Sequence, residues 1–163
     1  MQGGATVTGR VKFTGAKPAN ARIDMSEEAK CAAKYQTPPT EEGVVGSAGM
    51  LGNVFVYVKS GLPADYKPAA PAASVVIDQD GCHYKPHVLG IQVGQKLEIR
   101  NSDPVLHNIK AKATKNRPFN ISQPTAGMKT DRTFSAVEVM VALECNVHGW
   151  MNAYVHVVPH PFF

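Results

Sequence analysis

Short runs of β-branched and aromatic residues, separated by turns rich in glycine and proline, recur along this chain and limit its fold most strongly. The predicted strands span residues 5–13, 53–59, 74–78, 87–93, 95–101, 105–111, 129–135, 137–144 and 152–158. Segments this short and this closely spaced predict an all-β sandwich or barrel.

The first third of the chain has a different character. Apolar and polar residues alternate over 5–13, where Ala5, Val7, Gly9, Val11 and Phe13 share one face. Residues 24–35 are predicted to be helical, because Asp24 and Glu27 have the spacing of a capping box. This short helix falls within 14–52, which we interpret as an insertion or extension of a single domain spanning 1–163.

Composition excludes several classes of protein. The chain is 44% hydrophobic and 18% charged, which is typical of a globular protein and not of a disordered one. Its net charge of +4 is scattered, without an arginine-rich run or a recognition helix, so nucleic-acid binding is not predicted. No apolar run reaches the roughly 18 residues that a membrane span needs. Nucleophile-elbow, phosphate-loop and paired-carboxylate signatures are absent from the sequence, and no enzyme activity is predicted.

The phase of two strands directs polar side chains inward. Val137, Val139, Val141 and Leu143 are predicted to share a buried face, and that phase continues to Cys145. In the strand over 105–111, His107 shares its face with apolar residues. A buried histidine needs a hydrogen-bonding partner or a ligand, because an unpaired buried polar group is costly.

The segments "LHN" at 106–108 and "CNVHGWM" at 145–151 together supply one thiolate, two imidazoles and one thioether. This is the ligand set of a blue-copper electron-transfer site, in which the thioether is a weak axial ligand that a backbone oxygen can replace. Taken singly, Cys145, His107 and Met151 have simpler interpretations as core residues. Zinc could also bind the thiolate and the imidazoles.

On these residues the chain resembles the cupredoxins, the plastocyanin–azurin–amicyanin family of small blue copper proteins. The Cys-x2-His-x2-Met loop is most similar to amicyanin, and "GCHYKPHVLGIQVGQKLEIRNSDPVLHNIKA" resembles bacterial plastocyanin-like methylamine-utilisation proteins. The resemblance, over roughly residues 74–158, implies a Greek-key β-sandwich and one type 1 copper ion. It makes His107, Cys145 and His148 the equatorial ligands and Met151 the axial ligand. Asn108 would hydrogen-bond across to the ligand loop.

The resemblance also implies a soluble one-electron carrier. The ring edge of His148 would reach solvent as the electron port, and Trp150 would contribute to an apolar docking rim. Lys110, Lys112 and Lys115 would form a basic flank that attracts an acidic partner. That partner would be a redox protein such as a c-type cytochrome or a dehydrogenase. The carrier would be monomeric and periplasmic or extracellular, which requires that an export signal was removed because the N-terminus lacks one.

The other two cysteines and the remaining histidines leave alternatives open. Cys31 and Cys82 are interpreted as a disulfide in an oxidising compartment, the alternative being two free thiols. A second metal site is conceivable among the remaining histidines, although the strand phase places His156 at the surface. The alternative functions are a copper-handling carrier or storage protein and a structural or carbohydrate-binding β-sandwich. A multi-site copper enzyme would need a second copper site, for which a single domain of this size lacks the parts.

Overall fold

The computed structural model describes residues 6–16, 19–41, 46 and 49–163. These residues form one helix and nine strands. They are α1 (Ala29–Ala32), β1 (Val75–Gln79), β2 (Tyr84–Lys85), β3 (Val88–Gln92), β4 (Lys96–Asn101), β5 (His107–Ala111), β6 (Phe119–Gln123), β7 (Lys129–Thr133), β8 (Glu138–Glu144) and β9 (Asn152–Val158). The fold is therefore nearly all β, as the sequence predicts.

The strands form two mixed sheets. One sheet has the order β2-β1-β4-β7, and the other has the order β3-β9-β8-β5-β6. The β1–β4 and β3–β9 pairs are parallel and the other pairs are antiparallel. Ile77 and Ile99 from the first sheet share one buried apolar cluster with Leu143 and Val155 from the second. The two sheets therefore face each other across a common core, which stabilises the domain by removing apolar surface from water.

The turn between β1 and β2 shapes one end of this sandwich. Gly81 and Cys82 both have positive backbone φ, at 69° and 57°. Glycine adopts such angles readily, whereas Cys82 does so at a cost that its surroundings must offset.

Two strands predicted in the N-terminal third are wrong. Over the described part of 5–13, which excludes Ala5, the backbone makes only an isolated bridge between Lys12 and Met50. Val7 is 95% exposed, so the alternating pattern buries no face there. Residues 53–59 form no strand, and the Val58 N–H donates to Phe162 O.

The predicted helix over 24–35 is much shorter. It comprises only Ala29–Ala32, with Glu28 at its N-cap accepting from the Lys30 N–H. Asp24 accepts from Ser26 N–H and does not cap the helix. Residues 22–35, which we call the covering segment, are otherwise irregular and bury Ile23, Met25 and Cys31.

The predicted phase of β8 is wrong in its first half. The strand has an irregularity between Glu138 and Val141, and Met140 there has a φ of 62° and is 63% exposed. Val137 and Val139 are therefore exposed, whereas the phase from Val141 onward is inward as predicted. No helix in the described part of the chain is long and apolar enough to cross a membrane.

Candidate metal centre

Three loops and strand ends meet at one end of the sandwich. His107 is the first residue of β5, and Cys145 directly follows β8. The loop from Cys145 to Met151 is closed by its own backbone, because Cys145 N–H donates to Met151 O and Met151 N–H donates to His148 O. All four predicted ligands, His107, Cys145, His148 and Met151, are buried.

The ligand atoms of His107, Cys145 and His148 lie within 4.8 Å of one another. The two Nδ1 atoms of the histidines are 3.0 Å apart, and Cys145 Sγ is 3.8 Å from His148 Nδ1. Atoms that bind one ion at about 2.0–2.3 Å can be separated by up to roughly 4 Å. Both separations fit a single bound ion, so these three residues could hold a metal.

The surroundings of Cys145 favour its ionised form. Burial opposes loss of the thiol proton, but hydrogen bonds with His107 and His148 outweigh burial and lower the pKa of Cys145 to about 5. The His148 N–H also donates to the sulfur, at 3.4 Å. A thiolate is the form that binds metals, and the site therefore provides it at neutral pH.

Asn108 connects β5 to the ligand loop. Its Oδ1 accepts from Asn146 N–H at 2.6 Å and lies 3.4 Å from Cys145 Sγ. Its backbone carbonyl accepts from Tyr84 OH at 2.5 Å. The side chain thus reaches across to the loop that carries Cys145.

Asp103 belongs to the candidate site but was not predicted from the sequence. Its carboxylate is fully buried and accepts from His107 Nε2 at 2.9 Å. Burial opposes its ionisation, but the donors around it outweigh burial and hold its pKa well below the usual range. Burial likewise opposes protonation of His107, but Asp103 outweighs it and raises the pKa of the imidazole. The sequence does contain a clue to this contact. A buried histidine requires a partner, and "NSDPVLH" places an aspartate four residues before His107.

The predicted disulfide between Cys31 and Cys82 is formed, with its Cα atoms 5.7 Å apart. It joins the covering segment to the β1–β2 turn, and Cys31 Sγ lies 3.9 Å from His148 Nε2. His148 is consequently only 2% exposed. The expectation that its ring edge reaches solvent is wrong, because the covering segment lies over that edge.

Other bonds hold the covering segment against the sandwich. Tyr35 OH donates to Gly81 O at 2.6 Å, and Lys30 Nζ donates to Pro104 O at 3.3 Å. The Lys34 ammonium pairs with the buried Asp103 carboxylate. These contacts and the disulfide fix the segment at several points around the metal-ligand loop.

No known protein-family profile matches the chain, and no curated protein matches it either. Among solved structures, a Cu-containing nitrite reductase from Thermus scotoductus SA-01 aligns with a TM-score of 0.50 and 21% identity, over 66% of this chain and 26% of that one. The fold is cupredoxin-like. The chain spans about a quarter of the length of that nitrite reductase.

Two smaller proteins also align with this chain. The Cu(I) form of an amicyanin variant has a TM-score of 0.46 and 20% identity, over 52% of this chain and 82% of that one. A purple cupredoxin from Nitrosopumilus maritimus has a TM-score of 0.44 and 24% identity, over 51% of this chain and 98% of that one.

Within the cupredoxin-like domain, Trp150 packs close to the candidate ligands. Its indole N–H donates to Cys82 O at 2.9 Å, and its ring centroid is 5.1 Å from that of His148. Of the predicted basic flank, Lys110 lies opposite Glu144 in the β5–β8 pairing, and Lys112 forms an ion pair with Glu144 at 2.5 Å.

Lys115 belongs to a loop whose backbone N–H groups donate to the Glu138 carboxylate. Glu138 begins β8, whereas Cys145 follows the other end of that strand. The lysines thus follow β5 away from the ligands. The docking roles of Trp150 and of these lysines stay predictions.

The remaining histidines do not join a metal-binding group of three among the described residues. His83 Nδ1 contacts Tyr35 OH and Gly81 O, and His160 Nε2 contacts Val58 O. A second candidate group contains Cys82, Asp103 and His107, but Cys82 has no thiolate to offer while it is in the disulfide.

The prediction that His156 lies at the surface is wrong. Its ring stacks on Phe55 with centroids 4.1 Å apart, and Phe163 also packs against Phe55. A Cβ atom at Gly90, which pairs with His156, would lie 2.6 Å from the Phe55 ring. Only glycine therefore permits this approach, and the aromatic residues bury His156 where the strand alternation alone suggested exposure.

Proposed function

We propose that this protein is a type 1 copper protein that acts as a soluble one-electron carrier. The observation that supports this most directly is the convergence of Cys145 Sγ with the Nδ1 atoms of His107 and His148 in a buried site. One thiolate, two imidazoles and one thioether are the donors of blue-copper electron-transfer centres. Met151 is buried in that loop and is proposed as the axial ligand.

The residues around the candidate ligands suit a centre that exchanges electrons without binding a substrate. A copper ion held there would supply a one-electron redox couple. Asn108 restrains the loop that bears Cys145, and the covering segment excludes water from His148. Ligands that are held rigidly and away from water move little when the copper changes oxidation state. This favours rapid electron transfer over chemistry on a bound substrate.

The described cavities lie elsewhere. One, of about 400 Å³, is lined by covering-segment residues such as Ile23 and Tyr35 together with Pro39. Another, of about 500 Å³, is lined by residues such as Tyr57 and Val139. Neither of these two cavities is lined by the proposed ligands.

The proposed partner is another redox protein, such as a c-type cytochrome or a dehydrogenase. The Cys31–Cys82 disulfide supports an oxidising compartment, and we propose a periplasmic or extracellular location. We further propose that one copper ion is bound per chain and that the carrier is monomeric. Because His148 is covered, the partner would dock on the covering segment and Trp150 rather than on the histidine itself.

Copper titration of the metal-free protein tests this function. We expect one equivalent of Cu(II) to produce an intense thiolate-to-copper band and a matching EPR signal. Cys145→Ser should abolish the band, whereas His87→Gln, a histidine outside the proposed ligand set, should retain it. A colourless protein with Cys145 intact, or equal preference for zinc, would refute the assignment.

Electron carriage is separated from copper delivery by a second measurement. The reduced copper form is mixed with a c-type cytochrome, and cytochrome reduction and copper content are followed together. For a carrier, we expect second-order reduction of the cytochrome over repeated cycles while the copper stays bound. Copper loss to a competing chelator on the same timescale would favour the copper-handling alternative.

A further inference from the structure

The Asp103 carboxylate accepts four hydrogen bonds from three different parts of the chain. Its Oδ2 accepts from His107 Nε2 at 2.9 Å and from Cys82 N–H at 2.7 Å. Its Oδ1 accepts from Gly81 N–H at 2.9 Å and from the Lys34 ammonium. The side chain is fully buried, so water does not compete for these contacts.

We propose that Asp103 is a positioning residue of the metal centre, which selects the His107 tautomer that leaves Nδ1 free for the metal. This inference rests on the proposed copper function. A neutral imidazole has one N–H, and an ionised carboxylate only accepts hydrogen bonds. In neutral His107 that proton therefore resides on Nε2, facing Asp103, and the lone pair is left on Nδ1, which lies 3.0 Å from His148 Nδ1.

The donors around Asp103 explain why a carboxylate is required there. An amide at this position would have one accepting oxygen and an NH2 group in place of the other. If the NH2 group replaced Oδ1, it would face the Gly81 N–H and the Lys34 ammonium, which are both obligate donors. If it replaced Oδ2, it would face Cys82 N–H and His107.

The second orientation is less unfavourable, because the imidazole can change its tautomer and the ammonium cannot lose its donors. The amide would then donate to His107 Nε2, and the ring proton would move to Nδ1. Asp103→Asn therefore places a proton on the nitrogen that the metal needs. The substitution hardly changes the size of the side chain, but it replaces one hydrogen-bond acceptor with a donor.

The same carboxylate fixes the position of the ring. Asn101 Oδ1 accepts from the Asp103 N–H at 2.9 Å, and Asn101 Nδ2 donates to Val105 O at 3.0 Å. These bonds shape the loop before β5. The Cys82 N–H bond also stabilises a residue whose φ is positive. His107 is thus held by a network that includes the disulfide turn and, through Lys34, the covering segment.

The first experiment measures tautomers in the metal-free protein by long-range ¹H–¹⁵N NMR of the imidazoles, at a pH above the one at which the His107 signals stop titrating, so that the ring is neutral. We expect wild-type His107 to be protonated at Nε2, and Asp103→Asn to be protonated at Nδ1. Asp78→Asn is the matched control, since among the described residues that carboxylate bonds the exposed Ser102 Oγ, and the change should not alter the tautomer. Lys34→Met should also keep the Nε2–H tautomer, because it spares the carboxylate.

The second experiment measures copper affinity and the EPR spectrum of the same variants. Loss of such an outer partner typically weakens metal binding about 10–100-fold, and we expect Asp103→Asn to fall in that range and to show altered copper hyperfine splitting. Asp78→Asn should match the wild type.

Wild-type His107 protonated at Nδ1 would overturn the inference even if Asp103→Asn failed to fold. An Asp103→Asn protein with the wild-type tautomer and affinity would overturn it as well. A wild-type protein that binds no copper would instead refute the proposed function, while the tautomer measurement would still decide the role of Asp103.

Discussion

Removing the disulfide between Cys31 and Cys82 should lower the stability of the protein substantially. The two cysteines are separated by 51 residues. In the chain-entropy treatment, a crosslink of that span stabilises the folded state by about 4 kcal/mol. For a domain of this size, each kcal/mol shifts the melting temperature by roughly 2–4 °C. The double variant Cys31→Ala/Cys82→Ala should therefore melt ~8–16 °C below the wild type.

Local opening should accompany this loss of stability. Without the disulfide, the covering segment keeps hydrogen bonds such as Tyr35 OH to Gly81 O and the Lys34–Asp103 pair. Each such bond contributes only about 1 kcal/mol net, or up to about 3 kcal/mol where a charged group takes part. We expect the segment to detach more often and to expose His148, which is covered by Cys31 in the intact protein.

Two assays on the metal-free protein test this reasoning. Thermal unfolding is followed by circular dichroism, and modification of His148 by diethylpyrocarbonate is mapped by mass spectrometry. Cys145→Ala is the control, because it removes a buried thiol without breaking a crosslink. If the double variant melts within ~2 °C of the wild type and His148 stays unmodified, the disulfide does not hold the covering segment as we argue.

Three further predictions concern single side chains. Glu138→Gln should lower the free energy of unfolding by about 2–3 kcal/mol at pH 7, because the carboxylate accepts four bonds from the 114–116 loop. Burial opposes ionisation of Glu138, but these bonds outweigh it and lower its pKa from 4.5 to about 2. In urea unfolding, the stability difference between wild type and Glu138→Gln should therefore shrink as the pH falls from 4.5 to about 2. His156→Phe should keep the stacking on Phe55. It should also reduce the loss of wild-type stability just below pH 6.5, because burial lowers the pKa of His156 and protonation of this histidine favours the unfolded chain. Asn108→Ala should cost about 1–2 kcal/mol and speed hydrogen exchange at the Asn146 amide, which loses its acceptor.

Sequence periodicity was informative where each strand has neighbours on both sides. The strands that hold His107 and the residues before Cys145 were predicted because apolar residues alternate along them and their inner faces are buried. Periodicity failed over 5–13, where Val7 has the right pattern but no sheet covers it. It also missed β6 (Phe119–Gln123), because its inward face has only two apolar residues, Phe119 and Ile121, within a polar stretch.

Two local features broke the alternation in ways that the sequence does not show directly. The positive φ of Met140 shifts the phase in the middle of β8, so valines before it face outward. His156 is buried because Phe55, about a hundred residues earlier, stacks on it. Neither effect follows from the residues next to it in the chain.

The candidate ligands could be predicted because their chemistry is confined to two short segments, whereas their surroundings could not. Asp103 takes its role from donors on two distant segments, the turn at Gly81 and Cys82 and the covering segment with Lys34. The burial of His148 likewise depends on where the disulfide places Cys31. Such long-range contacts are determined by tertiary structure and leave no periodic signal.

The position of β9 within its sheet has a consequence for the order of folding. This strand follows the ligand loop in the chain, yet it lies between β8 and β3, and its parallel pairing with β3 joins Val88 to Tyr154. Pairings between such distant residues form slowly, because the chain must lose much conformational freedom before they stabilise it. The second sheet stays incomplete until β9 inserts, and that insertion is also what closes the loop carrying Cys145 and His148. A folding intermediate without β9 would therefore lack the assembled metal-ligand set, and metal capture would be tied to the completion of folding.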